Sequence, residues 1–140
     1  FRGVMLGHFM TRLPWWQANL LQAGLFAAWH LVWPLKHLIA GSSSLAGSVT
    51  EAASLGGATL ISGYAYGYLY YSTGSLWAPW LAHTLHNTVL NLFHIRTSAG
   101  LDAEVFVMQA VAVAGLLPLM AIVKILSSFW HLPKVIPWSF

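Results

Sequence analysis

The chain has 140 residues, of which 58% are hydrophobic and only 6% are charged, whereas an ordinary soluble domain carries about 25% charged residues. This composition excludes a disordered segment, and the absence of cysteine excludes a disulfide-stapled secreted domain. We interpret the net charge of +3 as an uneven distribution of Lys and Arg among the loops of a membrane protein, and not as a nucleic-acid-binding surface. The sequence therefore predicts an integral membrane protein that binds no nucleic acid.

Charged residues divide the chain into uncharged segments whose lengths can be compared with the thickness of a bilayer. A spanning helix needs about 20 mostly apolar residues, and residues 13–35 and 105–123 are suitable segments. Residues 52–95 form a segment about twice as long as one span, which must fold back. The small polar residues and glycine at 72–75 permit the turn. We therefore expect an all-α, polytopic transmembrane helix bundle with about four spans after the N-terminus.

The chain shows no internal repeat and no boundary, so we expect one membrane-embedded domain over residues 1–140. Residues 40–50, which are rich in serine and glycine, are the expected flexible connection. The sequence starts without an initiator methionine or a signal-peptide pattern, and we expect it to be the C-terminal portion of a longer protein. The side on which the first predicted span begins carries most of the basic residues, namely Arg2, Arg12, Lys124 and Lys134. The positive-inside rule therefore predicts that this side is cytoplasmic.

Polar residues inside the apolar spans point to a shared interior, because such residues usually face a bundle interior or a wet cavity. At roughly 100° per residue, one face of the third predicted span carries His83, His86, Asn87, Asn91 and His94. A face of the first span carries Asn19, Gln22, Phe26 and His30, with His37 aligned if the helix continues. Pro34 cannot donate to the carbonyl of His30, so we expect a bend there. We interpret His37, His94 and His131 as interfacial or structural.

The segment of residues 56–79 carries three further signals, about helix packing, helix formation and the start of the next helix. Gly56, Gly63 and Gly67 lie on related helical faces, which suits close packing against another helix, although glycine is also common in membrane helices without such a role. The tyrosines between positions 64 and 71 alternate as in a strand, but an open strand cannot satisfy its backbone groups in lipid, so we expect a helix. Pro79 is expected in the first turn of the helix that follows.

The polar faces favour a chemical site over a purely structural role. His83 and Asn87 lie one helical turn apart and can address one reacting centre. Neutral imidazole is a common metal ligand, and a carboxamide can stabilise a developing oxyanion. A hydrolytic water also needs a base, yet the acidic residues fall in connections or at span ends: Glu51, Asp102 and Glu104. Histidines that face each other across two spans are also typical axial ligands of a b-type haem.

Three motifs in this order resemble those of the CPBP family, the CAAX-protease and bacteriocin-processing family of intramembrane endopeptidases, also known as the Abi family. They are Phe1-Arg2-Gly3, the Phe-x-x-x-His sequence of residues 26–30, and residues 74–87, which end in His-x-x-x-Asn. The resemblance covers residues 1–95. On these motifs the chain is identified as a member of the family, an N-terminally truncated fragment.

The resemblance implies a set of catalytic residues. Arg2 corresponds to the arginine of the family's Glu-Glu-x-x-x-Arg motif, His30 to the histidine of the second motif, and His83 and Asn87 to the third motif. In the family picture a glutamate activates water, the histidines bind a metal or polarise the site, and the asparagine helps to hold the oxyanion. His30 and His83 are thus the candidate ligands of zinc or another divalent metal. His86 has no role in the pattern, and we expect it to be an outer partner of the matched residues.

The implied function is that of an intramembrane endopeptidase. It would hydrolyse peptide bonds of membrane-associated or prenylated substrates, or act in bacteriocin processing or self-immunity. Its partners would be a peptide or prenylated protein and the lipid bilayer, and its location a prokaryotic cell membrane, with several spans. Two alternatives stay open: a membrane protein that binds haem through two histidines, and a non-catalytic membrane scaffold or immunity protein.

Overall fold

A computed structural model describes residues 2–92 and 103–130 of the chain, and the side chains of residues 2–88 and 113–129. These ranges contain helices and connections without any strand, so the predicted all-α class is confirmed. The helices are α1 (Val4–Phe9), α2 (Trp15–His30), α3 (Val32–Ile39), α4 (Leu45–Thr73), α5 (Trp77–Leu92) and α6 (Ala103–Trp130).

The first predicted span is divided into two helices at Leu31. The amide of Leu31 donates to the carbonyl of Ala28, in a tighter turn than an α-helix makes. Pro34 has no N–H for the carbonyl of His30 and lies in the first turn of α3, where a proline is tolerated. The helix is interrupted directly after His30, where the bend was expected, and the prediction of one continuous helix over residues 13–35 is wrong.

The long helix α4 has well-defined ends. At its start, the backbone N–H of Gly47 donates to Oγ of Ser44 over 3.1 Å, which caps the helix. Residues 45–50, expected to be flexible, therefore form the first turns of α4. At its end, Gly74 has φ of 65°, a left-handed conformation that favours glycine. The predicted turn at 72–75 is confirmed, and Pro79 lies in the first turn of α5 as expected.

Helix α4 is the centre of the fold, because α2, α3, α5 and α6 all pack against it. Its middle contributes Ala65, Tyr66 and Leu69 to a buried cluster that also contains Ala82 of α5 and Leu116 of α6. A second buried cluster joins α1 and α2 to the end of α4 through Leu6, Ala18 and Tyr70. The expected helix over the tyrosine-rich segment is confirmed.

Two buried amides hold α2 against the glycine-bearing face of α4, and we call Asn19 and Gln22 the amide clamp. Nδ2 of Asn19 donates to the carbonyl of Tyr64 over 2.9 Å, and Nε2 of Gln22 donates to the carbonyl of Gly63 over 3.0 Å. A Cβ atom at Gly67 would lie 1.8 Å from Oδ1 of Asn19. Close packing at these glycines is therefore confirmed.

The outer faces of the helices expose many large apolar side chains, including Trp29, Ile39 and Trp77. Within the described ranges, however, none of the helices combines the length and the apolar character required to cross a bilayer. The predicted bundle of about four spans is therefore not confirmed by these helices and stays a prediction.

Candidate functional site

A cavity of about 130 Å³ lies between α2, α4, α5 and α6. It brings His30, His83 and Asn87 together, as the two predicted polar faces require. Residues of four helices line it: Phe26, His30, Leu55, Ala58, Thr59, Ser62, Tyr66, His83, His86, Asn87 and Val113. The walls therefore combine imidazole, hydroxyl and carboxamide groups with aliphatic and aromatic side chains.

His30 is the last residue of α2, and the break that follows leaves its ring at the cavity. Its Nδ1 lies 2.7 Å from the carbonyl oxygen of Phe26. Because a carbonyl can only accept, Nδ1 carries the hydrogen and Nε2 keeps the lone pair. This tautomer makes Nε2 the atom that can accept from water or bind a metal.

His83 and Asn87 form a pair on α5, with Nδ2 of Asn87 3.2 Å from Nε2 of His83. The ring of His83 also packs edge-on against Phe26, with 6.0 Å between the ring centroids, and lies 5.2 Å from the ring of Tyr66. Phe26 is in turn 4.6 Å from the ring of His30. One phenylalanine thus contacts both histidines that the sequence motifs single out.

Arg2 packs between two aromatic rings next to this group. Its Cζ lies 4.6 Å from the ring centroid of Phe26 and 4.6 Å from that of Tyr66, distances at which a cation is attracted by the faces of the rings. Nε and Nη2 are buried without a hydrogen-bond partner in the described part of the chain. Burial lowers the pKa of Arg2, and the nearby Tyr66 raises this pKa by a smaller amount. Such a guanidinium is suited to an anionic partner.

Tyr66 is a polar residue of this site that the sequence analysis did not identify. It is fully buried, and its hydroxyl lies 2.5 Å from Nδ1 of His86. The available signal was its position on α4 three residues after Gly63, since a residue at that spacing shares the helix face. His86, expected as an outer partner, lines the cavity itself.

Other polar residues of the predicted faces lie away from the cavity. Asn19 and Gln22 form the amide clamp. Nδ1 of His37 lies 3.0 Å from Oε1 of Glu51, so His37 connects α3 to α4 and does not extend the polar face of α2. Glu51, expected in a connection, belongs to α4. Several positions lie outside the described residues: the side chains of Asn91 and Glu104, together with His94, Asp102 and His131.

The predicted metal ligands His30 and His83 supply two imidazoles, whereas catalytic zinc sites use three protein ligands. Among the side chains that the structure describes, no group of three or more histidine, cysteine or acidic residues is placed to hold a metal ion. The donor set in the described ranges therefore falls one ligand short of a catalytic zinc site.

The fold and the site together define an all-helical protein with a partly open cavity, whose mainly apolar wall carries imidazole, hydroxyl and carboxamide groups. The sequence profile described as type II CAAX prenyl endopeptidase Rce1-like matches residues 1–89. The chain belongs to this Rce1-like family of membrane proteases, and the expected CPBP membership is confirmed. The searches of curated proteins and of solved structures found no significant match.

Proposed function

We propose that this protein is a CAAX-type intramembrane endopeptidase that hydrolyses a peptide bond in prenylated or membrane-associated peptides. The Rce1-like family supports a protease. The observation that carries the proposal is the meeting of His30, His83 and Asn87 in one cavity, with Arg2 packed against two rings of its wall. These residues come from the N-terminal segment, α2 and α5, and the fold alone brings them together.

The proposed roles follow from the hydrogen-bonding state of each group. Nε2 of His30 accepts a hydrogen bond from the attacking water, because Nδ1 already donates to Phe26. Asn87 keeps a second N–H after it donates to His83, and this N–H stabilises the oxyanion of the tetrahedral intermediate. Arg2 holds a carboxylate with its two unpartnered donors. In the family pattern that carboxylate belongs to the glutamate that activates the water.

The aliphatic part of the cavity suits the side chain of an apolar substrate residue. Leu55, Ala58 and Val113 form this part, and apolar walls with few polar groups are typical of ligand sites. We propose a prenylated peptide with aliphatic residues beside the scissile bond as the substrate. Bacteriocin processing or self-immunity would use the same chemistry on a different membrane-associated peptide.

The experiment is cleavage of a fluorogenic farnesylated CAAX peptide by the full-length protein in lipid nanodiscs. Wild type should cleave it, and His30→Ala and His83→Ala should reduce cleavage to the background rate. His8→Ala is the matched control, because His8 is an exposed histidine of α1 and does not line the cavity. Full activity of both site variants would contradict the assignment. Absence of cleavage with a Soret band would favour haem binding, and absence of both would favour a scaffold or immunity protein.

Binding of zinc or another divalent metal to His30 and His83 is a separate proposal. It is supported by the lone pair on Nε2 of His30. It requires further ligands beyond those described, and His83 would have to exchange the hydrogen bond from Asn87 to Nε2 for the metal. Metal analysis of the purified full-length protein tests it. About one metal ion per chain in wild type, lost in His30→Ala, would support the proposal, whereas an active wild-type protein without metal would refute it.

A further inference from the structure

His86 is a third imidazole at the cavity, and neither the family pattern nor the proposed roles use it. Its Nδ1 lies 2.5 Å from the hydroxyl of Tyr66. A neutral phenol has one hydrogen to donate, and Nδ1 of His86 is the hydrogen-bond partner that the structure gives to Tyr66. The phenol can donate to Nδ1, which leaves the hydrogen of the neutral imidazole on Nε2, or it can accept from Nδ1–H, which leaves the lone pair on Nε2.

When Tyr66 is the donor, the Nε2–H group of His86 has no acceptor in the described part of the chain. The atom is buried without a hydrogen-bond partner, although the residue lines the cavity. An unsatisfied buried donor is unfavourable, and a ligand with an acceptor oxygen would remove the penalty. His30 has the opposite tautomer, with a lone pair on Nε2. With Tyr66 as the donor to His86, the cavity holds one imidazole suited to accept and another suited to donate.

We propose that Nε2–H of His86 donates a hydrogen bond to the carbonyl oxygen of the scissile peptide bond, and that Tyr66 is the positioning residue that fixes this tautomer. The inference rests on the proposed protease function. When the water oxygen bonds to the carbonyl carbon, the π electron pair moves onto the carbonyl oxygen, and the resulting oxyanion accepts more strongly from His86.

No proton leaves His86 in this step. When the C–N bond breaks, the carbonyl forms again, and the leaving nitrogen takes its proton from the base that had accepted one from the water. His86 therefore stabilises the transition state more than the bound substrate. Its removal should lower kcat and leave KM nearly unchanged.

The surroundings of Tyr66 make it suitable for this positioning role. Its side chain is fully buried, and its ring packs against Arg2 and His83. The phenol therefore has little freedom to turn away from His86. Tyr66→Phe removes the hydroxyl and preserves the ring that Arg2 and His83 contact, so it isolates the hydrogen bond from the packing.

The test measures kcat and KM for the farnesylated peptide with full-length wild type, four single variants and one double variant. His86→Ala should lower kcat about 100-fold, as the loss of one oxyanion donor does, with KM changed by less than about 2-fold. His86→Gln places an amide N–H near the former Nε2 and should recover about 10-fold of that loss. Tyr66→Phe should lower kcat about 10-fold in the wild-type background and have no effect in His86→Ala. Tyr70→Phe should behave as wild type, because Tyr70 is a buried tyrosine of α4 that packs with Leu6 and Ala18, away from the cavity.

The outcomes separate this inference from the proposed function. If wild type cleaves, His30→Ala does not, and His86→Ala keeps the wild-type kcat, the role of His86 is overturned and the protease assignment stands. Equal losses in His86→Ala and His86→Gln, with an additive effect of Tyr66→Phe, would show a structural role and overturn the inference. A wild-type protein that binds the peptide without cleaving it would overturn both.

Discussion

At the scale of single residues, the site shows how neighbours decide what a histidine can do. The carbonyl of Phe26 fixes the hydrogen of His30 on Nδ1, whereas in our proposal the hydroxyl of Tyr66 fixes the hydrogen of His86 on Nε2. His83 receives a hydrogen bond from Asn87. Three chemically identical side chains therefore offer different groups to one cavity.

Asn87 is the residue whose substitution tests the oxyanion role most directly. Asn87→Ala removes the carboxamide donors and should lower kcat about 100-fold, and Asn87→Asp should lower it at least as much because a carboxylate repels the oxyanion. Thr88→Ala is the matched control, since Thr88 is exposed and its hydroxyl donates to the carbonyl of Thr84 within α5. The assignment would be wrong if the Asn87 variants changed only KM.

At the scale of elements, the interface between α2 and α4 positions the site. The amide clamp fixes the position of α2 along the axis of α4. Phe26 and His30 lie one and two turns beyond Gln22 on α2. The Leu31 break then ends α2 beside the cavity. A change that separates α2 from α4 should therefore reduce both stability and activity.

Two glycines of α4 allow a matched test of this interface. Gly67→Ala should destabilise the protein by about 1–3 kcal/mol, because overpacking forces neighbours to move and the new Cβ would lie 1.8 Å from Oδ1 of Asn19. At Gly57, no described atom lies within 4 Å of a new Cβ, so Gly57→Ala should stabilise the helix by up to about 1 kcal/mol. Thermal denaturation in detergent measures both. Equal melting temperatures for the two variants would contradict the close approach of α2.

The sequence predicted where helices end and which residues share a face. It did not predict which contact each residue of a face makes along the helix axis. Pro34 and Gly74 have unique backbone constraints, which explains why the break and the turn were predictable. Helical periodicity placed His30 and Asn19 on one face, but it gives only direction around the axis. The structure shows that the polar face of α2 changes role along its length, from a clamp at Asn19 to a cavity wall at His30. Tyr66 was missed because alternating tyrosines do not reveal which ring faces α5.

At the scale of the whole molecule, the site requires more of the chain than the family match covers. The match ends at residue 89, yet Val113 of α6 lines the cavity and Leu116 belongs to the core around Tyr66. Helix α6 therefore closes the aliphatic part of the cavity and supports α4. Its sequence should influence which substrate side chains are accepted.

Val113 provides the test of that contribution. Val113→Phe should partly fill the cavity, raise KM for a peptide with bulky aliphatic residues about 10-fold, and change kcat less, because the loss is one of uniform binding. A peptide with alanine at those positions should be affected less. Gly115→Ala is the control, since no described atom lies within 4 Å of the added Cβ. The same KM change for both peptides would argue against a specificity role of α6.

The contact between Gly67 and Asn19 also has a consequence for how the sequence can diverge. The space that a side chain at position 67 would need is occupied by the amide that holds α2. Neither position can change alone without loss of packing or of the hydrogen bond to Tyr64. In relatives we therefore expect the two positions to covary, with glycine at 67 wherever 19 is asparagine and a smaller residue at 19 wherever 67 is alanine.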